Sequence, residues 1–548
     1  MFHHDDPQPQ LVDERTSLVS SQSLVSDQGT IKTPQQESRE VSSHGDISVA
    51  RSVLPTLLFG IFIAQADSSI VLATSQEIAS EFRVLSDASW LITSYVLAQC
   101  VCQPLYGRTS DIFGRKPAMI FSYAAFTLGC IICGIGTSYW HVLLGRVVSG
   151  IGGAGMVGLV AVIIADLLPP RQVATWRSYV NVVATLGRSC GGPLGGWLVD
   201  TVGWRWCFIG QSPVATLAVL LIIWKLPVNI AGRRADPACS RIADKLRRVD
   251  FAGFAFLPAA LVTAFIGLDL AGKLYPLQYT VPLGASAVFL LTSFYYVEKY
   301  YAQEPIIPMG LLAKRDVYVP YLLVALQTAS QFIITYTIPI YFPIVAGMSV
   351  TAAGSRIVFI VVGNAVGGLL TGFYINHTGR YKSAIYVATI LGIISYCLVL
   401  VRWHGSSSLL DSSYLTLGGL GMGSTQSTTF VHIAAALEPK DIAVAGTTWF
   451  LCQSAGMLAA ANVFNMVHNL ALKRMLESVL EGVKDKPKII HGVLSSVEYI
   501  KTLPTDLREI VTNVLVQSLV PTNAIALGCG IAALMLALFI REHKLEKN

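Results

Sequence analysis

Long apolar runs, each near the length of a membrane-crossing helix and almost free of charge, follow one another along most of this chain. They fall at 53–76, 88–106, 117–138, 141–168, 174–199 and 205–226, then at 250–271 and 279–299, and finally at 317–345, 352–375, 383–403, 411–437, 442–471 and 519–541. An α-helix needs roughly 20 apolar residues to cross a hydrocarbon core about 30 Å thick. No strand-period alternation of the barrel type competes with them. The pattern predicts an all-α membrane protein with fourteen transmembrane helices, grouped six, two and six.

Composition agrees, since 53% of residues are hydrophobic and only 13% charged, too few polar groups to coat a soluble globule of this size. Residues 1–50 differ: rich in Ser, Gln, Asp and Glu and lacking an apolar run, they read as a disordered tail with no cleavable signal. The domains expected are this tail, a six-helix bundle at 51–226, a basic linker with two extra helices at 227–315, a second six-helix bundle at 316–542, and a short tail at 543–548. An extended loop at 473–518, with amphipathic pieces suited to a surface-lying helix, interrupts the second bundle. Nine of the ten cysteines sit in apolar runs, so a disulfide framework is not indicated, and Cys130 and Cys133 read as packing.

Charge sets the orientation. With both termini in the cytosol, the short cytosolic loops carry Arg108, Arg115, Lys116, Arg171, Arg177, Lys225, Lys314, Arg315, Arg380 and Lys382 among others. The short loops opposite carry only Arg83, Arg205, Lys273 and Arg402, as the positive-inside rule requires. The net charge of +6 is therefore an orientation signal, and no nucleic-acid partner is needed to explain it.

One pattern occurs twice. Gly107, Asp111, Gly114 and Arg115 of "GRTSDIFGRKP" recur with the same spacing as Gly372, Asn376, Gly379 and Arg380 of "GFYINHTGRYK", each time after the second helix of a six-helix block. A second echo relates Gly150–Trp176 to Gly419–Trp449. Two parallel six-helix repeats imply a pseudo-twofold axis along the membrane normal and a site where the halves meet, the architecture of a transporter.

"GRTSDIFGRKP" resembles the signature of the major facilitator superfamily. "LLGRVVSGIGGAG" (Leu143–Gly155) resembles its fourth-helix motif, and "GRSCGGPLGGW" (Gly187–Trp197) its fifth-helix antiporter motif. Fourteen spans, with "ADSSIVLATSQEIASEF" in the first helix, look like the drug:proton antiporter branch, and "GWRWCFIGQSP" is similar to the fungal vacuolar basic amino acid transporters. In the tail, "DERTSLVSS" (Asp13–Ser21) resembles acidic dileucine sorting signals of vacuolar membrane proteins.

Asp67 is the residue on which a mechanism would turn. A carboxylate deep in the first span costs on the order of 3 kcal/mol, so it asks for a function: exchanging a proton and holding a cationic group when ionised. Glu77 is a second proton stop or an interfacial charge. Arg146, Arg188 and Arg356 lie within spans and cannot lose their charge. The resemblance places Arg188 on a helix facing the central cavity, where it would grip a substrate carboxylate opposite Asp67, and gives Arg146 a part in proton coupling or packing. Asp111, Arg115 and Lys116, turned by Gly107 and Gly114, would lock one face until the halves rock apart. Asn376 beside Arg380 makes the second gate weaker. Gly192 and Pro193, with the neighbouring glycines, let the fifth helix pack tightly and kink. Gln331, Tyr336, Tyr341 and His432 are polar groups able to line the cavity from the second half.

No P-loop, HExxH or nucleophile elbow is present, so enzymatic readings fall away, and neither a cofactor nor a metal is expected. "FHHDD" at residues 2–6 is read as inert. The resemblance implies a monomeric proton-coupled antiporter in the vacuolar membrane, taking amino acids, above all basic ones (Lys, Arg, His), from the cytosol into a lumen that the 473–518 loop faces. The alternatives are a plasma-membrane exporter of cationic drugs in exchange for protons and, in another class, a nutrient receptor that moves nothing.

Overall fold

The computed structural model describes residues 34–84, 88–168, 170–227, 249–273, 275–345, 347–348, 355–405, 409–438, 441–481, 483, 486–495, 499–500, 503–543 and 545. The sorting-like stretch Asp13–Ser21, "FHHDD" and residues 228–248 of the basic linker lie outside them. The chain divides into two units, Met1–Val49 and Ala50–Asn548. Of the first unit only its share of helix α1, Pro34–Glu81, is described, so a helix occupies residues from 34 onward where a tail to residue 50 was expected.

The second unit is helical throughout its described length. In the first half α1 is followed by α2 (Ala88–Phe113), α3 (Arg115–Ile135), α4 (Tyr139–Leu167), α5 (Pro170–Val202), α6 (Trp204–Ile209) and α7 (Gln211–Lys225). The expected extra pair is α8 (Phe251–Gly272) and α9 (Leu277–Tyr300), and α10 (Met309–Leu312) is a single turn. The second half comprises α11 (Arg315–Val345), α12 (Ile357–Thr378), α13 (Lys382–Arg402), α14 (Leu409–Ala436), α15 (Ile442–Val479), α16 (Lys486–Ser495), α17 (Thr505–Ser518) and α18 (Val520–Leu538). Glycine punctuates the turns of the repeated motif. Gly114 separates α2 from α3 with φ 99°, and Gly379 ends α12 with φ 69°, conformations that a side chain disfavours.

Among the described residues eleven helices are long and apolar enough to cross a membrane, with α6 and α7 forming one such segment and α17 and α18 another. Three expected spans, α2, α5 and α14, fall short in hydropathy at lengths of 26, 33 and 28 residues. The reason is visible in their residues. Gln103, Arg177, Asn181, Thr425, Ser427, Thr428 and His432 are buried polar groups on these three helices, which face other helices and not lipid alone.

Within the first half α4 packs on α2 and α3, and α7 on α3; within the second, α14 packs on α12 and α13, and α11 on α15 and α18. Helix α8 lies against both α2 and α15, with Phe265 buried among Leu97, Val101 and Leu458. It thereby bridges the outer edge of the seam between the halves, while α9 leaves Phe289, Tyr296 and Tyr300 exposed. The 473–518 segment is a small helical cap. Leu472 and Leu476 at the end of α15 share a core with Ile489 and Ile490 of α16 and Val511 and Leu515 of α17, packed against Ile340 and Ile344 of α11. The amphipathic pieces read from the sequence bury their apolar faces here, at the end of the bundle opposite the basic loops.

Candidate functional site

The two halves meet along two equivalent helix pairs. On one side Gly107 of α2 lies so close to α15 that an added Cβ would overlap Thr447 Oγ1 and stand 3.0 Å from the carbonyl of Ala443. On the other, a Cβ at Gly372 of α12 would overlap Ser178 Oγ and stand 3.0 Å from the carbonyl of Ala174 on α5. The duplicated glycine thus marks a close approach of the halves in both copies. Ala174 and Ala443 are separated in the chain by the same interval as Gly150 and Gly419, whereas Trp176 and Trp449 are not, so the tryptophan part of the second echo is fortuitous. Trp449 donates to Thr429 Oγ1 at 3.1 Å and packs on Phe430, and Trp176 rests on Tyr179.

Polar contacts tighten this seam. Ser178 Oγ donates to the carbonyl of Gly368 at 2.5 Å and Asn181 Nδ2 to that of Asn364 at 3.1 Å. Ser454 Oγ donates to Gln103 Oε1 at 3.1 Å. Arg177, expected in a loop, is buried, its guanidinium 4.5 Å from the ring centre of Phe430, 5.3 Å from Trp449 and 5.2 Å from Phe450, all on the opposite half. Such cation–π contacts are worth about 2 kcal/mol when desolvated. All these contacts lie in the half of the bundle nearer the basic loops.

Asp67 sits in the opposite half of the bundle thickness, wholly inside the first six helices. Its Oδ2 accepts from Arg146 Nη1 at 2.7 Å, with side-chain exposures of 0% and 1%, and its Oδ1 accepts from Gln211 Nε2 at 3.3 Å. Arg146 Nε donates to the carbonyl of Leu91 at 3.1 Å, and its guanidinium lies 4.4 Å from the Tyr95 ring centre. The expected opposition of Asp67 and Arg188 is therefore corrected: the carboxylate is paired with Arg146. A guanidinium that cannot deprotonate must find an anion inside a low-dielectric bundle, and Asp67 is the one placed to receive it.

Arg188 is exposed. It lies on α5 one heptad beyond Asn181 and two beyond Ala174, hence on the same face, the face that those residues press against the second half. Among the described residues Arg188 has no carboxylate partner, and it is exposed on that face. The glycine face of α5 points elsewhere. Cβ atoms at Gly187 and Gly191 would collide with the carbonyls of Phe62 and Ala66 on α1, so the fifth-helix motif makes a contact within the first half and does not seal the seam. Gly192 is half-buried beside Ser69, and Pro193 is exposed.

The first motif copy is an ion-pair cluster. Arg115 Nη1 is 2.8 Å from Asp111 Oδ1, its Nε is 2.9 Å from Asp166 Oδ2, and its Nη1 donates to Ser110. Lys116 Nζ donates to the carbonyl of Ile223 at 2.7 Å. In the second copy Asn376 and Arg380 are both exposed. Ala435 stands at the position equivalent to Asp166, so that position supplies no acid in the second copy.

The second-half candidates do not converge. Gln331 is buried with its Oε1 against Gly418 of α14. Tyr336 packs between Phe332 and Phe464. Tyr341 stacks on Trp403 with ring centres 4.7 Å apart. His432 lies at the basic end, its Nδ1 3.1 Å from Tyr381 Oη. Arg356 caps α12 with its guanidinium 5.6 Å from the Phe342 ring centre. Glu77 is exposed towards the far end of α1. Four turns beyond Asp67, approximately, Glu81 accepts from Arg205 at 2.8 Å and Trp204 Nε1 at 2.6 Å, hydrogen bonds that hold its carboxyl below the ordinary range. Sequence reasoning missed Asp166, Gln211 and Tyr95. Nothing in their local pattern marks them, since each gains meaning only from the helix it faces.

Two pseudo-equivalent helical halves, a seam closed at one end and intramembrane charges near it define a membrane transporter. A family model described as Major Facilitator Superfamily matches residues 57–461, and the chain belongs to that superfamily. It is 30% identical to the multidrug resistance protein fnx1 of Schizosaccharomyces pombe, over 97% of this chain and 99% of that one. It is 28% identical to the vacuolar membrane amino acid uptake transporter fnx2 of the same organism, over 93% and 87%. With the vacuolar basic amino acid transporter 2 of Saccharomyces cerevisiae it shares 28% identity over 74% and 86%.

Proposed function

We propose that this protein is a proton-coupled antiporter that carries basic amino acids from the cytosol into the vacuole, with both termini and the basic loops in the cytosol. The observation that carries the reading is the buried Asp67–Arg146 pair, with Arg188 exposed on the face of α5 that meets the second half. With Asp67 ionised the pair is neutral, and Arg188 offers a bidentate seat for a substrate carboxylate. When Asp67 takes up a proton from an acidic lumen, Arg146 is left uncompensated and the site gains one positive charge. At an effective dielectric near 20 and a separation on the order of 8 Å, that charge opposes a cationic side chain by about 2 kcal/mol, roughly 30-fold in affinity. Proton and cationic cargo then disfavour one another, which is the requirement for exchange. Glu77, exposed on α1, is the entry stop for that proton. Names of the vacuolar relatives support the substrate class and the membrane.

The seam closed at the basic end corresponds, on this reading, to a lumen-facing state. Asp111, Arg115 and Asp166 stabilise that closure, with Gly107 and Gly372 allowing the helices to meet. The experiment is uptake of lysine or arginine by liposomes containing the purified protein under an imposed pH gradient, with and without a protonophore. Accumulation that survives collapse of the gradient overturns proton coupling. A second reading, export of cationic drugs across the plasma membrane, is favoured by the likeness to fnx1; in the same liposomes it requires flux of a lipophilic cation and none of lysine.

A further inference from the structure

One side-chain cluster at the basic end has no place in the transport cycle. Asp316 at the start of α11, His432 near the end of α14 and His543 in the segment after α18 bring a carboxylate and two imidazoles together, with their ligand atoms within 4.8 Å of one another. His432 Nε2 is 3.9 Å from Asp316 Oδ1, and His543 Nε2 is 3.7 Å from Asp316 Oδ2. Both distances exceed a hydrogen bond. Neither Nε2 has a hydrogen-bond partner among the described residues, and His432 is 0% exposed. A buried imidazole nitrogen without a hydrogen-bond partner is costly unless something completes it.

The other side of the His432 ring is held by Tyr381. Tyr381 Oη donates its single proton to the carbonyl of Arg541 at 3.2 Å and accepts from the backbone N–H of His543 at 2.8 Å. Its remaining contact is His432 Nδ1 at 3.1 Å, and in the tautomer that carries its proton on Nδ1 the imidazole donates to the hydroxyl. In that tautomer Nε2 carries the lone pair, on the side of Asp316 and His543. A ligand imidazole whose outer N–H is held by a hydrogen bond is the usual arrangement around a protein-bound metal.

We infer that Asp316, His432 and His543 form a binding site for a divalent transition-metal ion of the zinc class. Two imidazole nitrogens and one carboxylate are borderline ligands of the kind such ions take, with a fourth position left to water. For metal–ligand bonds near 2.1 Å a tetrahedral ion separates its ligands by about 3.4 Å, so the side chains close by a few tenths of an ångström at the shorter separations and by up to about 1.4 Å at the widest on binding. Asp316 and His543 are half-buried, which supplies the path of entry. The three ligands come from the start of α11, the end of α14 and the segment after α18. That segment is already anchored through Tyr381, and by Leu545 in the apolar cluster that also holds Ala174. Metal would staple it beside the seam where Ala174 meets Gly372.

The test uses the full chain without a polyhistidine tag, carrying His3→Ala and His4→Ala to remove the histidines of the N-terminal tail. Titration with Co²⁺ should give one equivalent with the intense visible bands of a four-coordinate ion, displaced by Zn²⁺. His543→Ala lies outside the helices and should weaken binding at least tenfold while leaving the thermal unfolding of the metal-free protein unchanged; His432→Ala and Asp316→Asn should do the same to binding. Zinc should also slow hydrogen exchange over residues 539–545 in the parent and have no such effect in His543→Ala. No stoichiometric binding by the parent, or binding that His543→Ala leaves intact, overturns the site.

Discussion

Replacing Asp67 by asparagine is the sharpest perturbation of the transport mechanism. The residue is 0% exposed and 2.7 Å from a guanidinium that is 1% exposed. Removing one partner of such a pair commonly costs 3–5 kcal/mol, because the other charge remains buried. Here the loss should sit near the lower end, about 3 kcal/mol, since asparagine Oδ1 still accepts from Arg146 and the Tyr95 face still carries part of the charge. The variant should therefore fold with lowered thermal stability. Electrostatically it mimics the protonated carrier permanently. Affinity for lysine should fall roughly 30-fold, as reckoned above from Coulomb interaction at an effective dielectric near 20, and should no longer depend on pH. In liposomes the parent should accumulate lysine when the proton gradient is applied, and Asp67→Asn should show only slow, downhill equilibration. Gradient-driven accumulation by a folded Asp67→Asn protein would refute the reasoning, because no proton could then be passing through this carboxyl.

Further outcomes follow from the same geometry. Arg188→Ala should raise the KM for lysine by one to two orders of magnitude, as expected of a lost charge-assisted hydrogen bond worth about 1.5–3 kcal/mol, with thermal stability unchanged; an unaltered KM removes Arg188 from the substrate site. Gly372→Val should separate α12 from α5 at the basic end, so that a cysteine placed at Ser178 reacts several-fold faster with a membrane-impermeant maleimide from that side than in the parent background. Glu81→Gln should lower stability by no more than about 1 kcal/mol at neutral pH, because Glu81 and Arg205 are 43% and 40% exposed and water screens the pair. Its carboxyl is held below the ordinary value, so the parent's advantage is present above the unfolded carboxylate's pKa and disappears as pH falls through the folded one. Parallel pH–stability curves for the two proteins would contradict that assignment.

What the sequence determined by itself was whatever depends on local order. Run lengths announced membrane helices, because spanning a bilayer is a property of consecutive residues. The spacing of Gly107, Asp111, Gly114 and Arg115 against Gly372, Asn376, Gly379 and Arg380 announced two halves, and in the structure the duplicated glycines sit at a close approach of those halves. Asp67 stood out because a lone carboxylate in an apolar run is costly wherever it lies. Its partner was a different matter. Arg146, Arg188 and Arg356 are equally conspicuous in the chain, and only the packing of α1, α2 and α4 decided that Arg146 takes the carboxylate while Arg188 is left exposed on α5. Tertiary structure alone likewise buried Arg177 against aromatic rings of the other half, turned the antiporter glycines towards α1, and assembled Asp316, His432 and His543 from segments more than a hundred residues apart. An ion pair or a ligand set is chosen by distances of a few ångströms, and those distances are set by which helix faces which, a quantity that no stretch of consecutive residues contains.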